Sequence, residues 1–419
     1  ADLHYVYSLT ATLGAIMQLD GRRWTVLLDE AHNLPERARR MYRAGLAKAD
    51  LMALRRDAPR GLGGALDRIN RVLLDLQRQQ WQEPDYDSRA EIPADLQRVL
   101  ADFIASAGEL LAQDPAVLHR QPRLLDFYFV VLQFLRLADH WGDDFRFELS
   151  RGEGRQSLQL TLNCLDPARL LRERQVLLHS MTAFSATLSP PDWTRKALGL
   201  SAEAVFRREA SPFEEGQLEV ILATGVDTRY SRRAQSLPLL AATVLAWLRR
   251  DPGNCIVYFP SYRYLQDCLA QMRTLGLEAV RPGLWVQQRE DAGRDQLLQL
   301  LEERRDVAAL CILGGVFGEG IDLPGEQLSS VVIVGVGLPQ FNRDTEQLRT
   351  WYQQLCGAGF DYAYLFPGMQ KVDQALGRVI RSSTDRGRAL LIDSRYAERQ
   401  YRDLLPPWWA YRPWDEANR

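Results

Sequence analysis

Asp29-Glu30-Ala31-His32 and, 345 residues later, Gln374-Ala375-Leu376-Gly377-Arg378-Val379-Ile380-Arg381 carry the side chains best suited to chemistry. An aspartate can hold Mg²⁺, which takes few protein oxygens and keeps several waters. A neighbouring glutamate can orient an attacking water. Arg378 and Arg381 are three apart, so on a helix they would share one face. Paired guanidinium groups suit the charge that develops during phosphoryl transfer. Gln374 one turn back and Gly377 beside Arg378 would make that face polar and closely approachable. Each block also has a plainer reading. Two carboxylates favour a helix N-terminus, and two arginines suit a solvated surface.

Two further blocks could join them. Gly314-Gly315-Val316-Phe317-Gly318-Glu319-Gly320-Ile321-Asp322 places four glycines within seven residues. Such a backbone can approach a ligand closely, or simply turn. Asp322 could accept from a sugar hydroxyl or from an arginine of the C-terminal block. Ser185-Ala186-Thr187-Leu188 offers two hydroxyls that could relay between sites.

These blocks need elements to position them. Trp24-Thr25-Val26-Leu27-Leu28 reads as a short buried parallel strand running into the acidic pair, which it would deliver at its carboxyl end. From about 46 to 172 the pattern changes. Leu66, Ile69, Leu73 and Leu76 recur at helical spacing, as do Leu96, Leu100, Phe103 and Leu110, and a third apolar segment runs from Leu124 to Leu137. Alternation over 145–149 and 158–162, around Gly152 and Gly154, predicts a hairpin with one buried face. From about 173 onward strands alternate with helices. The strands are expected at 183–184, 218–222, 255–259, 308–313, 331–334 and 389–392, with helices such as 237–248 and 264–275 between them. That alternation predicts a parallel sheet covered on both faces.

Composition narrows the function classes. A chain of 419 residues at 46% apolar can bury two or three cores. No apolar run approaches the roughly 18–20 residues of a membrane span, and no basic segment followed by an apolar stretch marks a signal peptide. Net charge is −2, which still permits a positive groove. The five cysteines have no metal-ligand spacing, so a reducing, cytoplasmic protein without disulfides is expected. No H-E-x-x-H spacing supports a zinc hydrolase.

Taken in order, D-E-A-H at 29–32, S-A-T-L at 185–188, Phe259-Pro260-Ser261-Tyr262, G-x-F-G-E-G-I-D at 315–322 and Q-x-x-G-R-x-I-R at 374–381 resemble motifs II to VI of superfamily 2 helicases. The form is that of the DinG/XPD group. The resemblance implies an α/β fold of RecA-like parallel-sheet motor domains with a mostly helical, arch-like insertion. Residues 1–45 and 173–205 would belong to the first motor domain, 46–172 to the insertion and 206–419 to the second motor domain. It implies an ATP-dependent DNA helicase, moving 5′ to 3′ on single-stranded DNA in repair or replication. Its partners would be single-stranded and forked duplex DNA, its cofactors ATP and Mg²⁺, and its expected state a monomer away from membranes. Asp29 would coordinate Mg²⁺ and Glu30 activate water. His32, Ser185 and Thr187 would couple hydrolysis to strand movement. Gln374, Arg378 and Arg381 would face the phosphates, and Glu319, Gly320 and Asp322 would link nucleotide to DNA. Phe259, Tyr262 and Tyr264 are candidates for stacking on the strand or for the core.

The chain departs from the family in two respects, the phosphate loop and the iron–sulfur region. Its three lysines, Lys48, Lys196 and Lys371, lie in no G-x-x-x-x-G-K-[ST] loop. The expectation is therefore the C-terminal part of a longer helicase, inactive by itself. A 4Fe–4S cluster, carried by many members between the phosphate loop and motif II, would lie upstream of this chain. The alternative is a non-catalytic nucleic-acid-binding scaffold derived from a helicase. Possession of D-E-A-H with both arginines favours the enzyme.

Overall fold

The computed structural model describes residues 2–10, 12–80, 85–152, 158–289, 293–315, 317, 323 and 325–414. The chain divides into two units, 1–188 with 192–204, and 189–191 with 205–419.

In the first unit the strands are β1 (Thr25–Leu28), β2 (Arg43–Ala47), β3 (Tyr86–Arg89), β4 (Phe145–Arg151), β5 (Leu158–Cys164) and β6 (Ser180–Ala183). β1 and β6 form a two-stranded parallel sheet with Leu28 opposite Ala183. The strand expected at 24–28 is present, but only Leu28 in it is buried, and Leu27 is 70% exposed. β1 has β6 as its one neighbour among the described residues.

β2 to β5 form an antiparallel sheet in the order β2-β5-β4-β3. Its inner face is the predicted alternation: Phe147 pairs with Leu162 and Leu149 with Leu160, all fully buried. Helices Gly63–Gln80, Ala94–Gln113 and Pro122–Ala138 cover it. Their apolar stripes are those read from the sequence, with Leu66, Ile69, Leu73, Leu96, Leu100 and Phe103 fully buried. The hairpin is the centre of a four-stranded sheet rather than an isolated pair. Arg43-Ala-Gly-Leu-Ala47 and Tyr86-Asp-Ser-Arg89 are too small or too polar to read as strands. They are held as edges by ladder hydrogen bonds.

Among the described residues the second unit holds a single sheet. Its strands are β7 (Leu218–Ala223), β8 (Cys255–Phe259), β9 (Gly283–Val286), β10 (Val307–Ile312), β11 (Ser330–Val334), β12 (Gly387–Ile392) and β13 (Ala410–Pro413). All pairings are parallel, in the order β13-β7-β12-β11-β8-β10-β9. Side chains alternate between two cores. Ile256, Tyr258, Val331 and Ile333 face one, and Val257, Phe259, Val332 and Val334 face the other. Helices Arg233–Arg250 and Tyr262–Thr274 cover the second. Burial on both faces explains why these strands read as continuous apolar runs. β9 and β13, at the two edges, were not legible that way.

Cys164, Cys255, Cys268 and Cys311 are buried free thiols, whereas Cys356 is exposed. Among the described residues no helix is long and apolar enough to cross a membrane.

Candidate functional site

In the first unit, parallel pairing continues one residue past each strand. Phe184 N–H donates to Leu28 O at 2.9 Å, and Ala31 N–H donates to Phe184 O at 3.2 Å. The S-A-T-L block is thereby brought against D-E-A-H. Asp29 Oδ1 accepts from Glu30 N–H at 2.7 Å. Glu30 adopts φ 46°, ψ 43°, and is the one described non-glycine residue with positive φ. That conformation costs on the order of 1 kcal/mol. It turns the chain sharply from β1 into the short 3-10 turn Ala31–Asn33, before the helix Leu34–Met41. Because the turn intervenes, neither Asp29 nor Glu30 caps that helix, and the helix-terminus reading of the acidic pair does not hold.

Four side chains meet at this turn. Ser185 Oγ donates to Glu30 Oε2 at 3.1 Å. His32 Nδ1 lies 2.7 Å from the same hydroxyl and 3.3 Å from Glu30 Oε2. Thr187 N–H donates to Ser185 Oγ at 3.3 Å, with its own hydroxyl 3.5 Å away. A serine has one proton to give. With that proton donated to Glu30 Oε2, a hydrogen bond between His32 and Ser185 requires the imidazole hydrogen on Nδ1. The imidazole is only 7% exposed, while the Glu30 side chain is 64% exposed, so the carboxylate faces solvent from a buried footing. Asp29 is also exposed, with Oδ1 turned back onto the Glu30 amide.

In the second unit Gln374 lies on the helix Phe366–Leu376. The helix stops there, which corrects the expectation of a shared helical face for Arg378 and Arg381. Gly377 N–H still donates to Asp373 O, but Arg378 and Val379 donate to Ala375 and Leu376, tightening the chain into a turn. Val379 and Ile380 are buried and anchor the segment, leaving Arg378 half-buried and Arg381 exposed. Asp385 fixes the far side: its Oδ2 accepts from the Arg381 and Ser382 amides, both at 2.8 Å, and its Oδ1 from the Ser382 hydroxyl at 2.7 Å. The Ser382 hydroxyl, reinforced by the two amides, holds this carboxyl below the usual carboxylate range.

The glycine block starts where β10 ends. Gln287 Oε1 accepts from Ile312 N–H at 2.8 Å, and its Nε2 donates to the Tyr262 hydroxyl at 2.9 Å. Tyr258 donates to Phe317 O at 2.9 Å. Gly314, at φ +76°, lies under the Lys371 side chain, which a Cβ would meet at 3.1 to 3.3 Å. Glu319, Gly320 and Asp322 lie outside the described residues.

Comparison with known proteins adds the following. A helicase C-terminal domain model matches residues 244–412. The chain is 30% identical over 210 residues to the regulator of telomere elongation helicase 1 homolog of Drosophila ananassae, covering 45% of this chain and 21% of that protein. To the homolog of Drosophila willistoni it is 31% identical over 187 residues, covering 40% and 18%. It thus spans about a fifth of the length of the curated relatives it matches. A solved XPD helicase superposes with a TM-score of 0.57 at 18% identity, covering 98% of this chain and 72% of that one. Xpd4 of S. tokodaii gives 0.58 at 15%, covering 93% and 76%. The chain resembles the C-terminal region of an XPD/DinG-type superfamily 2 helicase.

Within this helicase fold, sequence reasoning missed Gln287, Lys371 and Asp385. Asp385 had a readable signal, since Ser382-Ser-Thr-Asp385 is a side-chain-capped turn pattern. Gln287 and Lys371 had none, because their contacts depend on which strands become neighbours.

Proposed function

We propose that this chain is motor machinery of an ATP-dependent DNA helicase. It would translocate 5′ to 3′ on single-stranded DNA and open forked duplexes, as a monomer, in a reducing cytoplasm. The observation that carries the reading is the linked set Glu30, His32, Ser185 and Thr187. A carboxylate held in strained backbone at a strand exit and tied to a buried imidazole has a use in hydrolysis; a scaffold needs no such strain.

Roles follow from chemistry. Asp29 would hold Mg²⁺. That ion commonly takes one or two carboxylates with waters, so the absence of a three-ligand cluster among the described residues is no obstacle. The metal would neutralise charge on the phosphates. Glu30, exposed to solvent, would orient the attacking water. His32, Ser185 and Thr187 would report the state of Glu30 to the strand-binding elements. Gln374, Arg378 and Arg381 are assigned to the phosphates, and Glu319, Gly320 and Asp322 to linking nucleotide and DNA.

These 419 residues contain no phosphate loop, so by themselves they should bind DNA and hydrolyse no ATP. The experiment is ATP turnover with and without single-stranded DNA, by this chain and by a longer form that supplies such a loop. DNA-stimulated turnover confined to the longer form is expected. Turnover by the chain alone would overturn these assignments. DNA binding with no turnover in either form would favour the scaffold, a reading to which the missing loop lends its only support.

A further inference from the structure

The carboxyl edge of the seven-stranded sheet carries an arginine that no described carboxylate bonds directly. Arg233 opens the helix Arg233–Arg250, and its Nε donates to Thr228 O at 3.1 Å. Its guanidinium lies 4.7 Å from the centre of the Tyr264 ring and 5.6 Å from that of Tyr230. Three carboxylates stand nearby, and each is claimed by another arginine. Asp393 takes Arg395 through two bonds of 2.8 Å and also accepts from the Thr228 hydroxyl. Glu398 and Asp227 take Arg229, at 2.6 and 3.4 Å. Among the described residues Arg233 has no ion pair, and neither terminal nitrogen has a partner or is sealed from solvent.

The solvent-facing edge of this guanidinium remains available to an anion. Half-burial pulls the Arg233 guanidinium below its usual pKa, yet an arginine stays charged. The Asp393 carboxylate acts on it only through space and makes no hydrogen bond to it. Beneath it, Tyr264 is 2% exposed. Above it, Tyr230 is 80% exposed. The location is where open parallel sheets bind ligands. Thr228 follows β7, Asp393 follows β12 and Tyr264 lies just beyond β8.

We propose that Arg233, clamped between Tyr230 and Tyr264, is a phosphodiester hook for single-stranded nucleic acid. The free edge of the guanidinium takes two phosphate oxygens in its planar fork, and the exposed Tyr230 ring offers a face on which the adjoining base stacks. This rests on the reading of the chain as a strand-tracking motor.

The test is fluorescence anisotropy of a labelled oligo-dT with the 419-residue chain, repeated from low to moderate salt. Arg233→Gln keeps a donor for Thr228 O but removes the charge. It should weaken binding about tenfold and reduce the slope of log affinity against log salt by about 0.7, the contribution of one phosphate on a single strand. Arg250→Ala, at the far end of the same helix, should change neither. Wild-type affinity and slope in Arg233→Gln would overturn the hook while leaving the motor reading intact. Failure of the unaltered chain to bind the strand would sink both. If Arg233→Gln lowers the melting temperature, Arg233→Lys decides: an unchanged slope with weaker binding supports the hook, and wild-type affinity refutes it. Displacement of the strand from wild type but not from Arg233→Gln by sub-millimolar pyrophosphate would make this a mononucleotide site instead, against the proposal.

Discussion

His32 Nδ1 lies 2.7 Å from Ser185 Oγ although 153 residues separate them. The same hydroxyl donates to Glu30, so one serine proton ties the D-E-A-H and S-A-T-L blocks together. Ser185→Ala removes both contacts and leaves the imidazole only the longer, 3.3 Å approach to Glu30 Oε2 among those described. A stability loss of about 1 kcal/mol is expected from thermal or urea melts. In a loop-containing form, basal ATP turnover should survive and its stimulation by DNA should fall. Equal loss of both would show that Ser185 serves hydrolysis itself.

Glu30 separates backbone strain from chemistry. Glu30→Gln keeps the left-handed residue polar and should abolish hydrolysis in the loop-containing form while sparing nucleotide binding. Glu30→Gly relieves the φ of 46°. It should leave the chain as stable as wild type or up to about 1 kcal/mol more stable, because glycine adopts this region without penalty. A less stable glycine variant would mean that the Ser185 contact outweighs the strain.

Asp385 makes the arginine segment acid-sensitive. Its carboxyl is held below the usual range in the fold. The stabilisation it brings is therefore complete above the unfolded value of about 3.9 and is lost as pH falls through the lower native value. Asp385→Asn should flatten the acid side of the stability curve below about pH 4. Urea midpoints at stepped pH check this, and an unchanged acid limb would assign the sensitivity to other carboxylates.

Gly387 marks where the same segment touches the sheet. A Cβ there would collide with Val379 Cγ1 and stand 3.1 Å from Ser329 O. Gly387→Ala should cost about 1–3 kcal/mol through overpacking. Pairing it with Val379→Ala should recover much of that loss. Without recovery, the contact with Ser329 is the limiting one.

How much of this was legible depended on where each residue gets its partners. β8 and β11 could be placed from sequence because burial on both faces leaves an unbroken apolar run. β2, β3, β9 and β13 are edges that depend on a neighbour, and their residues alone do not ask for a strand. The acidic pair could be found, since strand-then-carboxylates is a local pattern. The left-handed Glu30 could not, since glutamate carries no sign of it. The helical face expected for Arg378 and Arg381 failed for a related reason. Spacing of three is equally compatible with a turn, and Gly377 followed by buried Val379 and Ile380 ends the helix first.

The distribution of thiols gives the protein a built-in gauge of its own integrity. Burial pushes Cys255 and Cys268 up to about 12 and raises Cys164 and Cys311 as well, so in the folded state all four are both hidden and protonated. Cys356 alone is open to solvent, at the end of the helix Arg343–Cys356. Native chain should therefore consume one equivalent of a maleimide dye, and denatured chain five. That difference yields a single-site fluorescent reporter on the second unit without engineering, and the same titration grades any variant for folding before its activity is interpreted.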